Sequence, residues 1–212
     1  MSSSHTLKSI DLGCERSGHV LFADISFEIS AGQFLLVQGS NGAGKSSLIR
    51  ILAGLATPAH GQLYWHGKSI QNTATVFSKQ LHYIGHENGL KSGLTVCENL
   101  ALFCQLQNLP AQTIPARIET ALAQMDLAQH RDTISKYLSA GQQRRAALAR
   151  LFLTRKTLWL LDEPLTALDQ PSQSLFLSAL EIHLSEGGMC IMSSHQPIGL
   201  VTNNAAILRL SA

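Results

Sequence analysis

FLLVQGSNGAGKSSLIRILAGL, residues 34–55, holds three kinds of local signal in immediate succession. FLLVQ (34–38) is a continuous apolar run of strand length, GSNGAGKS (39–46) is a glycine-rich turn, and KSSLIRILAGL opens a helix. Leu48, Ile51 and Leu52 share one face of that helix, and Gly54 permits it to end. The turn matches GxxxxGK[ST] at Gly39, Gly44, Lys45 and Ser46, in the strand-to-helix context that the pattern needs. Successive backbone N–H groups along Gly39, Ser40, Asn41, Gly42, Ala43, Gly44, Lys45, Ser46 and Ser47 can surround phosphate oxygens, and a helix N-terminus adds positive potential. Lys45 is placed to neutralise the outer phosphates, and Ser46 to bind Mg²⁺.

Two further continuous apolar runs, TLWLL (157–161) and MCIMS (189–193), read with FLLVQ as strands buried on both faces of a parallel sheet. Each ends in polar chemistry. TLWLL runs into Asp162-Glu163-Pro164, where a carboxylate just past a buried strand can hold Mg²⁺ through water, a role that falls to Asp162. Glu163 can then face the γ-phosphate and orient or deprotonate the attacking water. MCIMS ends at Ser193-Ser194-His195, and an imidazole at that strand end suits a hydrogen bond to the γ-phosphate or the water.

Upstream, SIDLGC (9–14) and HVLFADISFEIS (19–30) alternate like antiparallel strands, and LYWHGKSI (63–70) adds another with a His66-Gly67 turn. The polar stretch 68–80 reads as loop or edge. Between 97 and 155 the pattern becomes helical, with ENLALFCQLQNL, IPARIETALAQMDL and then LSAGQQRRAALAR (138–150). The expected organisation is one α/β domain over 1–212, with a core lobe at 1–86 and 156–212 and a helical subdomain at 87–155.

A chain of 212 residues can bury one full core. Sixteen basic against 14 acidic residues leave an excess of +2, too small to point to nucleic acid or an anionic membrane as the main partner. Cys14, Cys97, Cys104 and Cys190 form no CxxC or metal-ligand spacing and read as free thiols of a reducing compartment. The first residues lack a signal-peptide pattern, and no apolar run of about 18 residues is present.

GSNGAGKS, LSAGQ, LLDEP, TALD and SSH, in that order, resemble the nucleotide-binding subunit of ATP-binding-cassette (ABC) transporters over about residues 5–210. The resemblance implies a P-loop NTPase cassette of RecA-like α/β fold with an antiparallel β region. It also implies that Leu138, Ser139, Ala140, Gly141 and Gln142 form a signature that meets the ATP held by a second ATP-binding subunit, with Ser139 and Gly141 capping the helix that follows. Arg144 and Arg145 read as solvated or structural arginines. Two positions depart from the family pattern. Arg16 stands where an aromatic residue usually stacks on adenine, and its guanidinium plane can stack instead. His86 replaces the usual glutamine near Mg²⁺, where a neutral imidazole can hold water and a protonated one would repel the metal.

GHENGLKSGLTVCENL, LSAGQQRRAALARLFL and SSHQP look most like the ATP-binding subunits of bacterial haem exporters in cytochrome c biogenesis. That likeness implies ATP and Mg²⁺ as cofactors, integral-membrane partner subunits, and a peripheral place on the cytoplasmic side of the inner membrane. Leu94 and Phe103 on the helical insertion are candidates for the docking groove, and no haem site is evident in the chain. The alternative is a cytosolic ABC ATPase such as that of iron–sulfur cluster assembly.

Overall fold

A computed structural model describes residues 5–195 and 205–210. Gln196 and Pro197 of the SSHQP stretch, and the first four residues, lie outside them. In chain order the elements are β1 (Thr6–Arg16), β2 (His19–Ser30), β3 (Phe34–Gln38), α1 (Lys45–Leu52), β4 (His60–Trp65), β5 (Lys68–Ser69), α2 (Ile70–Ser78) and β6 (Leu81–Ile84). There follow α3 (Val96–Leu106), α4 (Ile114–Gln124), α5 (Ala140–Ala149), β7 (Leu158–Asp162), α6 (Gln170–Ser185), β8 (Met189–Ser194) and β9 (Ala205–Arg209).

The chain divides into two compact units: Met1–Tyr83 with Lys156–Glu163 and Leu180–Ala212, and Ile84–Arg155 with Pro164–Ala179. The second unit thus differs from the expected helical segment, 87–155, by starting at Ile84 and by taking in 164–179, which hold the TALD turn and the first part of α6, a helix that the sequence reading did not assign.

In the first unit, β3 is buried along most of its length because β8 and β9 flank it in parallel register, within a sheet ordered β6-β7-β8-β3-β9. Continuous apolar runs are what such a position demands. The antiparallel sheet β2-β1-β4-β5 turns through two-residue hairpins at Ser17-Gly18 and His66-Gly67, with positive φ at both residues of each pair. That is the turn geometry matched to strand twist. Leu7, Leu12 and Phe22 from this sheet pack into one core cluster with Leu35, Val37, Leu48, Leu52, Leu160 and Ile191.

Residues 68–80 begin as an edge, β5 being the outermost strand of its sheet, but 70–78 form the helix α2, which the sequence reading did not assign. Only Ile70 and Phe77, two turns apart, are buried on α2, a stripe too thin to register as periodicity. Phe77 is held by the Trp65 ring, with centroids 5.3 Å apart. The edge strand β9 was likewise unassigned, and its residues are mostly exposed.

In the second unit, α3 starts on a capping box in which Thr95 Oγ1 accepts from Glu98 N and Glu98 Oε2 accepts from Thr95 N. Buried Asn99 organises the approach to the signature. Its Nδ2 donates to Ser135 Oγ at 2.9 Å and to the carbonyls of Lys91 and Thr95, and its Oδ1 accepts from Lys91 N. Leu94 and Phe103 are half-buried, and Arg150 lies 5.9 Å from the Phe103 ring. Of the four thiols, Cys104 and Cys190 are buried, Cys14 and Cys97 are half-buried, and burial pushes Cys97, Cys104 and Cys190 above the usual thiol range.

Candidate nucleotide site

The loop between β3 and α1 is built around two glycines that no other residue could replace. Gly44, the residue before α1, has φ 91°, and a Cβ there would stand 2.9 Å from Phe22 Cδ1. At Gly39 a Cβ would meet Leu210 O at 2.7 Å. Gly42 also takes a positive φ of 89°. No side chain caps the N-terminus of α1, so no cap competes with a ligand for the first N–H groups of the helix. The Lys45 side chain is buried, and its Nζ donates to Gly39 O at 2.9 Å and Ser40 O at 3.1 Å. An ammonium held by the loop's own carbonyls at the start of an uncapped helix fits a phosphate chain.

Glu163 closes the site from the end of β7. Parallel pairing of β7 with β8 puts Asp162 opposite Ser193, and Ser193 Oγ donates to Asp162 Oδ1 at 2.6 Å while accepting from Glu163 N at 2.9 Å. One buried hydroxyl therefore fixes the aspartate side chain and the glutamate backbone together. Glu163 itself has φ 46°, a left-handed conformation that is strained for glutamate and is the kind of distortion found where a side chain must be aimed. Its carboxylate lies between an ammonium and an imidazole, with Oε1 3.8 Å from Lys45 Nζ and Oε2 3.6 Å from His195 Nδ1. Lys45, Glu163 and His195, which the sequence reading placed in one site from strand-end logic, are thus brought together.

Ser46 is exposed and Asp162 is 2% exposed. A hydroxyl and a carboxylate are the hard-oxygen donors that Mg²⁺ prefers. Two contributors escaped the sequence reading. Ser193 was seen only as part of a strand end, and its bridging role depends on strand register. Tyr83, at the end of the first unit's β6 segment, has its hydroxyl pushed up first by burial and then by the Asp162 charge, against the opposing effect of Arg50.

Arg16 stands exposed at the tip of the β1–β2 hairpin, paired in register with His19. The same hairpin reaches the phosphate loop through Leu21 and Phe22, which pack on Gly44, so the hairpin borders the loop. A cavity of about 680 Å³ opens elsewhere in this unit, between the end of α1, β4 and α2, and none of the expected site residues lines it.

The signature residues and His86 belong to the second unit. Ser139 is the N-cap of α5, its Oγ accepting from Gln142 N at 3.2 Å, and Gln142 Oε1 accepts in return from Ser139 N at 2.8 Å. The Gln142 amide uses its other end on His130 Nε2 at 2.9 Å. Gly141 is not a cap, contrary to the sequence reading. It sits inside the first turn, where a Cβ would stand 2.7 Å from Ala167 O, so its smallness lets the TALD turn approach α5. Leu138 is buried, Ala140 is exposed, and His86 is exposed in the turn after β6. Arg144 and Arg145 are structural: Arg144 is buried, and Arg145 Nη1 donates to the carbonyls of Met125 and Asp126.

Comparison with known proteins agrees with this geometry. The family model of the ABC transporter matches residues 22–166. The chain is 44% identical over 192 residues to the cytochrome c biogenesis ATP-binding export protein CcmA 2 of Salmonella paratyphi A, covering 91% of this chain and 90% of that protein. It is 41% identical over 198 residues to the cytochrome c biogenesis ATP-binding export protein CcmA of Paramagnetospirillum magneticum, covering 93% and 91%. Among solved structures, an ATP-binding subunit of an ABC transporter superposes with a TM-score of 0.83 at 23% identity, over 96% of this chain and 87% of that one. A second, an ABC transporter ATP-binding protein of Pyrococcus furiosus, gives 0.81 at 22% identity, over 96% and 97%. Relatives named for export do not favour the alternative of a cluster-assembly ATPase. With its phosphate loop, its glutamate and its signature helix accounted for, the chain belongs to the ABC transporter family, as an ATP-binding subunit and ATPase of the cytochrome c biogenesis export type.

Proposed function

We propose that two copies of this chain close head to tail on two MgATP molecules and that their closing and reopening drives integral-membrane subunits of a haem exporter. The chain then works as a peripheral subunit on the cytoplasmic side of the bacterial inner membrane, with Leu94 and Phe103 near its docking groove. The observation that carries the reading is the Glu163 carboxylate between Lys45 and His195, with Ser193 bonded to its backbone. Lys45 and the α1 amides hold the β- and γ-phosphates. Glu163 orients the attacking water and accepts its proton, and His195 donates a hydrogen bond to the γ-phosphate or the water. Ser46 and, through water, Asp162 would hold Mg²⁺, which would supply neutralisation of phosphate charge. Ser139 and the first turn of α5 act on the nucleotide of the other copy, Arg16 lies against the base of the nucleotide that its own phosphate loop holds, and His86 holds water near the metal.

Linked dimers test the arrangement. In the first, a wild-type chain is joined to one carrying both Lys45→Ala and Ser139→Arg. Under the head-to-tail model both composite sites contain one broken half, and hydrolysis collapses. If each signature served its own chain, about half the activity would remain by site counting. In the second, the two substitutions are placed in opposite chains, which leaves one composite site intact and able to bind one ATP across the interface. Half activity in the first dimer with no intact-site binding in the second overturns the model.

A further inference from the structure

α5 carries a buried cation for which the phosphate chemistry has no use. Arg144 is 3% exposed, and its guanidinium reaches from the helix to two segments distant in sequence. Nε donates to Pro164 O at 3.1 Å, and Nη1 donates to Gly85 O at 2.9 Å and Asn88 Oδ1 at 3.3 Å. Arg150, the C-cap of the same helix, adds Nη2 to Asn88 O at 2.8 Å. Burial and the nearby Arg144 charge lower Arg150 to about 10, so the two cations are kept close against their mutual repulsion.

The atoms they hold are not arbitrary. Gly85 and Asn88 bracket His86, and Pro164 follows Glu163 directly. The chain enters the second unit between Tyr83 and Ile84 and again between Glu163 and Pro164. Arg144 therefore grips Gly85, two residues past the first crossing, and Pro164, the first residue past the second, from one side chain. A guanidinium can do this because its donors lie in a rigid planar fork, which a lysine lacks. An apolar side chain would fill the same space without the desolvation that a buried charge suffers, so the hydrogen bonds rather than the packing account for arginine here.

We infer that Arg144 is a positioning residue that ties together the signature helix, Gly85 and Asn88 of the His86 turn, and the Pro164–Leu165 peptide. A displacement at Ser139–Gln142 then arrives at Pro164, the residue that follows Glu163 in the chain. The inference rests on the roles proposed above for Ser139 and Glu163. Its bonds to Pro164, Gly85 and Asn88 act on the His86 turn and on the residue after Glu163, so their loss lowers turnover and leaves nucleotide affinity in place.

The test uses the full chain as Arg144→Lys, Arg144→Gln and Asn88→Ala, with hydrogen–deuterium exchange of the 85–89 and 163–166 segments, binding of a fluorescent ATP analogue, and hydrolysis. For both Arg144 variants the expected result is faster exchange in both segments together, kcat lower by about tenfold and affinity within about twofold of wild type. Lysine does not rescue. Asn88→Ala loses only one acceptor and shifts the same quantities by about two- to threefold, which keeps the test decisive if the buried substitutions fail to fold. Wild-type exchange and kcat in Arg144→Lys overturn the inference. So does a uniform rise in exchange across the second unit with parallel losses of affinity and kcat, which marks a mere brace. If wild type itself does not hydrolyse ATP, the functional reading fails while the exchange measurement still decides the coupling.

Discussion

The two helix starts of this chain, at α1 and α5, look alike in sequence and are built on opposite principles. α1 begins at Gly44 with no side-chain cap, a left-handed backbone and a buried lysine folded back onto loop carbonyls. α5 begins at Ser139 with a complete reciprocal capping box, and a histidine engages the remaining end of Gln142. An uncapped start keeps its orphan N–H groups for a ligand and is incomplete without one. A capped start is already ordered, with Ser139 N and Gln142 N paired, so a ligand meeting its other first-turn N–H groups adds to an ordered surface. The first suits a site that holds nucleotide in the single chain; the second suits a surface that recognises nucleotide already held elsewhere.

The largest effect expected is on chemistry at the α1 side. Glu163→Gln should keep MgATP binding, because the amide preserves shape, and should lower kcat by at least about 10²-fold through loss of the base. Single-turnover hydrolysis and nucleotide binding measured on the same sample check it, and wild-type turnover would return Glu163 to a structural role. Next comes Gly44→Ala, which forces a Cβ to a left-handed residue against Phe22 and should cost about 1–3 kcal/mol along with nucleotide affinity. Titration with a fluorescent nucleotide and a denaturant midpoint report the two losses.

Ser139→Ala tests the other start. Removing the cap oxygen should destabilise by about 1 kcal/mol and leave ATP binding by the isolated chain unchanged, while weakening ATP-dependent dimerisation. Equal damage to single-chain binding would erase the contrast between the two starts.

The smallest effect lies away from both. His66 has its imidazole held below the ordinary 6.5 by burial and then by His5, with Gln80 opposing. A folded state that disfavours the proton has its full stability above the unfolded value and loses it as pH falls below about 6.5 toward the lower folded value. Tm compared at two pH values across that range should show a small acid-side decline that His66→Asn removes, asparagine being able to take the φ of 51° found there.

Much of the site was legible before any coordinates, for local reasons. FLLVQ, TLWLL and MCIMS announce buried parallel strands, and the residues just past such strands are where a parallel sheet presents chemistry. That logic picked out Lys45, Asp162, Glu163 and His195 as candidates, and the fold sets Glu163 beside Lys45 and His195. It missed α2, whose buried face shows only Ile70 and Phe77, and β9, whose strand character comes from pairing with β3. It also took Gly141 for a cap, because a glycine needed for close approach by Ala167 O is indistinguishable in sequence from one needed at a helix end.

The sequence by itself determined the phosphate loop, the order of the strands' polar ends and the capped signature, since each depends on residues within a few positions of one another. Tertiary structure alone decided that Ser193 would bridge Asp162 and Glu163, that Glu163 would stand between Lys45 and His195, and that Arg144 would bind both Gly85 and Pro164. These contacts span from about 20 residues upward along the chain, and no local pattern encodes them. They follow from strand register and helix packing, which are settled by burying the whole core at once.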